Sequence, residues 1–435
     1  MSERDLRVER TPPRGWNSYD CYGCGIDEAA FRANARAMAR ELLPHGYEYA
    51  CIDGLWYYDD VTHFGLGGVA PQPPHIDDHG RPIPSPARFP SSAGGRGFAP
   101  LAEFVHGLGL KFGIHLMRGI PRLAVERGTP IAGTDRRAAD VADRADVCRW
   151  ETTMYGVDTR RPGAQEWYDS LLALYASWGV DFIKADDCGN APYHREEVAA
   201  LSRAGRRCGR PILLSLSPGI DMHEVLPAHP HAAAHAEMWR ISADIWDKWD
   251  NVRYLFPLCA LWSGAIGPAG FPDADMLPYG MLGLGNTPTL PTRRCRLTEE
   301  EVRTHFTLLA MARSPLFFGG DVPQLDDFTR GVITHPELLA INARSRGNRP
   351  LWIWQLENRH VAWKAQDLDG PGQYLALFNL TDEAAEVSAG LPENGFPARA
   401  RLRDLWARTD AGVVEKKVAA PLPPHGCAVY RVEPA

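Results

Sequence analysis

The chain has 435 residues, with a hydrophobic fraction of 45% and a charged fraction of 23%. That balance belongs to a protein folded around a sizeable core and excludes both wholesale disorder and a small disulfide-stapled scaffold. A formal net charge of −7 leaves no basic footprint for nucleic acid, and no apolar run approaches the roughly 20 residues needed to cross a bilayer. The first fifteen residues are charged and lack the apolar core of a secretory signal, which predicts a cytoplasmic protein. The nine cysteines are scattered and odd in number, so reduced thiols are expected. Cys21 and Cys24 form a CxxC, but no second pair follows at zinc-site spacing, and the pair is read as structural.

From about residue 10 to 345, short apolar runs alternate with amphipathic segments, the pattern of repeated strand–helix units around a parallel sheet. The first helix is predicted over 27–43, where Phe31, Ala35, Met38, Ala39 and Leu42 recur at helical spacing and Asp27 is placed to cap the N-terminus. Strands are predicted at Tyr49 to Asp53, Lys111 to His115, Asp181 to Asp186, Ile212 to Ser217 and Ser314 to Phe318. The long stretches Thr62 to Gly97 and Arg118 to Asp146 follow strands and are expected to wall a pocket. Glu299, Glu300 and Glu301 are read as charge at a helix N-terminus.

After residue 345 the texture changes to short strands at Leu351 to Gln355, His360 to Lys364, Gln373 to Asn379 and Ala428 to Val432. Residues 346–435 are therefore expected to form an antiparallel β-sandwich, with Asp367 to Gly372 as a hairpin loop. The fold class is α/β: a (β/α)8 TIM barrel over 10–345 followed by that C-terminal sandwich.

Several predicted barrel strands end in a polar residue: Asp53, His115, Asp186 and Ser217. Each alone could simply begin a loop. In a barrel, however, the C-terminal strand ends meet at one mouth, where the chemistry sits. Lys184 lies two residues before Asp186 on the same strand face, and a nearby cation keeps a carboxylate ionised, as a nucleophile requires. Asp244 follows Arg240 by four residues among Trp239, Ile245 and Trp246, so it is expected to be partly desolvated and raised in pKa, as a proton donor requires. Two carboxyls tuned in opposite directions are the equipment of a retaining glycoside hydrolase.

An ordered series of motifs makes the chain resemble glycoside hydrolase family 27, the α-galactosidase or melibiase family of clan D. These are Gly15-Trp16-Asn17-Ser18, Tyr49 to Asp53, Gly109 to His115 and Trp178 to Asp186, then Trp239 to Ile245, Pro272 to Leu277 and His305 to Gly320. The resemblance implies a barrel followed by an antiparallel β domain and a double-displacement hydrolysis of terminal α-D-galactosides in an oligosaccharide or other glycoside. It implies Asp186 as nucleophile and Asp244 as acid/base, with Trp16 lining the sugar subsite, Asp53 accepting sugar hydroxyls, and Lys184 and Arg240 donating to them. No metal and no organic cofactor is implied.

The chain departs from the family where substrate is recognised. Two adjacent aspartates are expected after the second strand, but Asp53 is followed by Gly54. A tyrosine of the third strand is His115, and Ser217 stands in place of a Cys-Glu-Trp-like segment. Losing a partner for one hydroxyl changes discrimination between sugars. Two other substrate classes of the family stay open on this ground: β-L-arabinopyranosides, which equal α-D-galactopyranosides without the C6 hydroxymethyl group, and isomaltosyl units of α-glucans. His115 and Arg118 are candidates to replace the lost contacts, or Arg118 pairs with a structural carboxylate. The family's disulfide would use Cys188, for which Cys148 is the nearest partner. Asp187 is expected to point away from the mouth, Asp247 to lie a turn beyond Asp244, and Asp273 and Asp275 to hold a loop. A metal-dependent barrel hydrolase would also place acids and a histidine at strand ends, but the strands carry no HxH or HExxH. A non-catalytic sugar-binding module is the remaining alternative.

Overall fold

The structure is a computed structural model that describes residues 11–62, 72–189, 192–219, 225–267, 270–285, 290–351 and 359–435. Eight parallel strands form the barrel: β1 (Arg14–Asn17), β2 (Tyr49–Ile52), β3 (Lys111–Met117), β4 (Phe182–Asp186), β5 (Leu213–Leu216), β6 (Met238–Arg240), β7 (Phe271–Asp273) and β8 (Leu316–Phe318). Each of the five strands predicted in this region is present within one or two residues of its expected ends. The sheet runs β7-β6-β5-β4-β3-β2-β1-β8. It closes through the segment after β7, where Leu277 N donates to Phe317 O at 2.8 Å and Ala274 N to Ser314 Oγ at 2.9 Å. Helices α1 (Glu28–Glu41), α2 (Ala99–Gly107), α3 (Ala164–Ser177), α4 (Arg195–Arg207), α5 (Val225–His235), α6 (Trp249–Trp262), α7 (Glu299–Met311) and α8 (Pro336–Arg344) follow the strands in turn. Asp27 caps α1 as expected, its carboxylate accepting from Ala30 N at 2.8 Å.

Side chains alternate between the two faces of a strand, and this alternation organises the barrel. The outward residues Trp16, Ile52, Ile114, Ile183, Ala185 and Trp239 belong to the large core that joins strands and helices. The inward set begins low in the barrel with Cys51, Phe182, Met238, Met276 and Phe317, a separate apolar cluster that plugs the floor. One step along each strand, the same face carries Asn17, Asp53, His115, Lys184 and Arg240. The period of two that buries the floor therefore also delivers the polar residues to one level above it.

The C-terminal part is antiparallel, with one sheet in the order β9-β10-β11-β16-β13-β14 and a second formed by β12 and β15. Its strands are β9 (Ser345–Pro350), β10 (His360–Asp367), β11 (Gln373–Asn379), β12 (Ala385–Gly390), β13 (Arg399–Asp404), β14 (Thr409–Glu415), β15 (Lys417–Leu422) and β16 (Cys427–Pro434). Residues 367–372 form the hairpin between β10 and β11. The strand expected at Leu351 to Gln355 lies, beyond Leu351, outside the described residues. Leu375 and Leu377 face the second sheet, whereas Ala376 and Phe378 join the barrel core, and Phe378 meets Phe256 of α6 edge-on at 5.0 Å. At the junction His425 bonds Glu301 at 2.7 Å and Asp382 at 2.9 Å, stacked 4.0 Å from Trp249. The glutamates at the start of α7 thus do more than supply N-terminal charge. Glu301 completes a capping box with Thr298 and also ties the barrel to the β-sandwich.

Candidate active site

A cavity of about 660 Å3 opens at the C-terminal ends of the barrel strands. Six of the eight residues expected to act on or bind the substrate line it: Asp53, His115, Lys184, Asp186, Ser217 and Asp244. Asp53 is buried at the end of β2, where among the described residues Oδ2 accepts twice and Oδ1 once, which leaves Oδ1 a free acceptor site. Asn17 Nδ2 and Lys184 Nζ both donate to Oδ2 at 2.8 Å, and the Gly54 amide donates to Oδ1 at 2.8 Å. Burial works against its charge, but the Lys184 ammonium and neighbouring His115 outweigh it and hold the carboxyl well below the usual range. Lys184 in turn is held above its ordinary value by Asp53 despite burial. Lys184→Met would leave Asp53 a buried, unpaired carboxylate and is expected to cost about 3–5 kcal/mol in urea unfolding at pH 7. A depressed carboxyl stabilises the fold fully above its unfolded pKa of about 3.9 and loses that contribution as pH falls through the folded value. The difference between wild type and Lys184→Met should therefore shrink only in acid.

Asp186 stands at the end of β4. Burial pushes its carboxyl up, but His115 Nε2 at 3.3 Å, the charge of Lys184 and the Asp187 amide at 2.9 Å overcome this and keep it below the ordinary carboxylate value. His115 is set by its own backbone, whose carbonyl accepts from Trp56 Nε1 at 2.8 Å. If Asp186 acts ionised, His115→Ala removes a stabiliser of the charged form, and the acid limb of the kcat/KM profile should move to higher pH. An unmoved limb would show that His115 does not tune Asp186.

Asp244 lies on the loop after β6. The expectation that aromatic neighbours desolvate it is not met, because its side chain is 56% exposed. The reason is directional: Trp239 points outward into the helix layer, Ile245 is buried, and only Trp246 shares the cavity wall. Arg240 Nη2 reaches Asp244 Oδ1 at 3.3 Å. Arg240 itself does not line the cavity. Its guanidinium supports the Asp244 loop through Asp275 Oδ1 at 2.8 Å and Ser242 O at 3.1 Å, while its buried Nε has no partner among the described residues. Asp273 and Asp275 hold that loop, as expected. Asp275 Oδ2 accepts from Ile245 N at 2.7 Å and Asp273 Oδ1 from Asp275 N at 2.9 Å. Burial, with Arg240 opposing, raises the Asp273 carboxyl to about 6.

Trp16, expected in the sugar subsite, is fully buried and absent from the cavity lining. It packs outward against Phe31 at 5.9 Å and spends its indole N–H on Gly320 O at 2.8 Å. Its neighbour Asn17 is the residue that β1 turns inward. Arg118 is likewise structural, buried with Asp187 at 2.6 Å, Asp146 at 2.7 Å and Glu197 at 2.5 Å. That network turns Asp187 away from the cavity, and Asp187 adopts a left-handed backbone with φ 59°. Asp247 is not one helical turn beyond Asp244, because residues 241–248 are not helical. It is buried against Arg293 at 2.7 Å. All nine cysteines are free, Cys148 and Cys188 included. Among the described residues, the acids and histidine that lie close enough to share a cation are Asp146, His194 and Glu197. None of them lines the cavity, and Arg118 Nη1 sits on both carboxylates.

The cavity wall also contains Tyr19, Trp150 and Glu151, which no motif pointed to, together with Cys24 of the CxxC pair and Trp246 from the Asp244 segment. Trp150 and Glu151 come from just beyond the 118–146 stretch, which itself folds into short helices and strands. Among the described residues, Thr62 to Gly97 contributes nothing to the lining. Arg88 within it instead anchors the carbonyls of Cys24, Ile26, Leu55 and Tyr58. Glu151 is buried and accepts from Thr153, and burial raises its carboxyl.

Family models match both parts of the chain. The family model described as alpha galactosidase A matches residues 151–344, and that of the alpha galactosidase C-terminal beta sandwich domain matches 357–432. The crystal structure of a β-L-arabinopyranosidase of glycoside hydrolase family 27 from Geobacillus stearothermophilus is 42% identical and superposes with a TM-score of 0.92, covering 100% of this chain and 98% of that one. The chain belongs to glycoside hydrolase family 27. Among curated relatives, an α-galactosidase of Coffea arabica is 29% identical over 98% of this chain and 94% of its own length. Alpha-galactosidase A of Cellvibrio japonicus is 26% identical over 98% and 93%. This family 27 chain is a glycoside hydrolase of the α-galactosidase type, with the barrel and β-sandwich expected of it. Among its described residues no helix is long and apolar enough to cross a membrane.

Proposed function

We propose that the protein is a retaining exo-glycosidase that removes terminal galacto-configured pyranosyl groups and prefers β-L-arabinopyranosides to α-D-galactosides. The observation that carries the preference is Gly54. Asp53 keeps one acceptor for the sugar hydroxyls, but the next position has no side chain, and a Cβ built there would stand 3.4 Å from Cys24 Sγ and 3.8 Å from His115 Cε1. A galactoside would bury its 6-hydroxyl against a thiol and a ring edge without a carboxylate partner, and an unmet buried hydroxyl costs binding. The arabinopyranoside has no such group to satisfy. The likeness to the Geobacillus β-L-arabinopyranosidase supports this order. A primary α-D-galactosidase activity is the second reading, favoured by the curated relatives of that name.

In the proposed mechanism Asp186, kept ionised by His115 and the Asp187 amide, attacks the anomeric carbon while Asp244 donates its proton to the departing oxygen. A covalent glycosyl–Asp186 ester results. Asp244, now ionised, takes a proton from water as its oxygen attacks the same carbon, the ester bond breaks, and two inversions give retention. Asp53 and Lys184, which line the cavity, fix the hydroxyls as acceptor and donor, and Asn17 holds Asp53 in place. The unpaired cysteines support action in a reducing compartment such as the cytoplasm. Side-by-side kcat/KM values on aryl β-L-arabinopyranoside, α-D-galactoside, α-D-glucoside and isomaltosyl substrates test the proposal. Arabinopyranoside should rank first and galactoside second, and a glucoside or isomaltosyl preference would refute it.

A further inference from the structure

The cavity combines strand-end carboxylates with exposed cations. Asp53 and Asp186 stand at strand ends within it, whereas exposed Lys248 and Arg296, with Arg293, Trp150 and Trp246, form a rim that also carries the exposed Asp244. This basic rim runs against the chain's net charge of −7. Lys248 lies on the loop that carries Asp244, the carboxyl proposed to protonate the leaving oxygen, and the Arg296 amide donates to Asp247 Oδ2 of the same loop at 3.1 Å. Arg293 is already spoken for. It pairs with Asp247 at 2.7 Å and lies over the Trp246 ring at 5.7 Å, which steadies that indole. Lys248 and Arg296 are both exposed, and neither has a carboxylate partner among the described residues. Trp150 is 43% exposed at the same cavity, although a large indole ordinarily hides when it has nothing to cover.

Resting on the reading of Asp244 as acid/base, we propose that the leaving-group side of the cavity is built for a carboxylated pyranose, a uronic acid residue. Its ring faces contact Trp150 and Trp246, and its carboxylate is met by Lys248 and Arg296. Flat indoles suit the apolar face of a pyranose. A single carboxylate answers two separated monocations, whereas a neutral sugar would leave both cations unmatched. The substrate class is therefore a terminal arabinopyranosyl or galactosyl group attached to a uronic acid.

The test uses two synthetic disaccharides with the same terminal β-L-arabinopyranosyl group and the same linkage, one ending in methyl glucuronide and the other in methyl glucoside. The uronate should be cleaved with a kcat/KM about tenfold higher at low salt, the scale of two solvent-screened contacts, and this ratio should fall toward one in about 0.5 M NaCl. In the Lys248→Gln/Arg296→Gln double variant, the ratio should fall to within about twofold of one already at low salt, with thermal unfolding unchanged. Trp150→Ala should raise KM for both disaccharides. A ratio near one in the wild type at low salt, or an unaltered ratio in the double variant, would overturn the uronate subsite while leaving the glycosidase reading intact. Absence of turnover on both disaccharides and on aryl glycosides would overturn that reading, and the subsite with it.

Discussion

Asp186→Asn is expected to lower kcat on aryl β-L-arabinopyranoside by at least about 10^4-fold, whereas Asp187→Asn should retain activity within about tenfold of wild type. The two acids are adjacent, but the backbone separates their roles. Asp186 ends β4 facing the cavity, beside His115 at 3.3 Å. Asp187 turns through φ 59° onto Arg118 at 2.6 Å. An amide at 186 keeps the shape and a hydrogen-bonding oxygen but cannot form the glycosyl ester. An amide at 187 weakens a buried ion-pair network, so its cost should appear in thermal unfolding rather than in turnover. Steady-state kinetics with unfolding curves for both variants separate these effects. Comparable activity of the two would contradict the assignment.

The second large effect is a change of substrate. Gly54→Asp should shift the ratio of galactoside to arabinopyranoside kcat/KM by at least about tenfold toward galactoside, because it returns an acceptor to the place where a 6-hydroxyl would lie. Space permits the substitution. The nearest atom to a Cβ is Cys24 Sγ at 3.4 Å, an ordinary contact, and Gly54 is not among the positive-φ glycines. The new carboxylate would sit beside Asp53, and part of the gain will be offset by like-charge repulsion, visible as a lower unfolding temperature. An unchanged ratio in a folded variant would remove Gly54 as the determinant of sugar choice.

Strand parity explains which parts of this site were legible from residue order. Asp53, His115, Lys184 and Asp186 lie at or near strand ends on one face, and a period of two is enough to bring them together once the barrel is inferred. The same rule should have turned attention from Trp16 to Asn17. The motif spans both, but β1 pairs with β2 so that Asn17 faces Asp53, and the indole goes to the helix layer. Features set by loops were not legible. The exposure of Asp244 depends on how residues 241–248 leave β6, and the approach of Trp150 and Glu151 depends on the compact excursion after β3. The partners of Arg118 come from three separate elements, Asp146, Asp187 and Glu197. No local spacing announces such a network.

The most direct test of the two-carboxylate account is azide rescue of Asp186→Gly and Asp244→Gly, with the configuration of the glycosyl azide read by NMR. Azide entering the space left by Asp186 would displace the aryl leaving group once, so Asp186→Gly should yield an azide of inverted configuration. In Asp244→Gly, Asp186 would still form the ester and azide would then displace it, giving retained configuration. The reverse pattern would exchange the two roles, and inverted azide from Asp187→Gly with none from Asp186→Gly would make Asp187 the nucleophile and contradict the account.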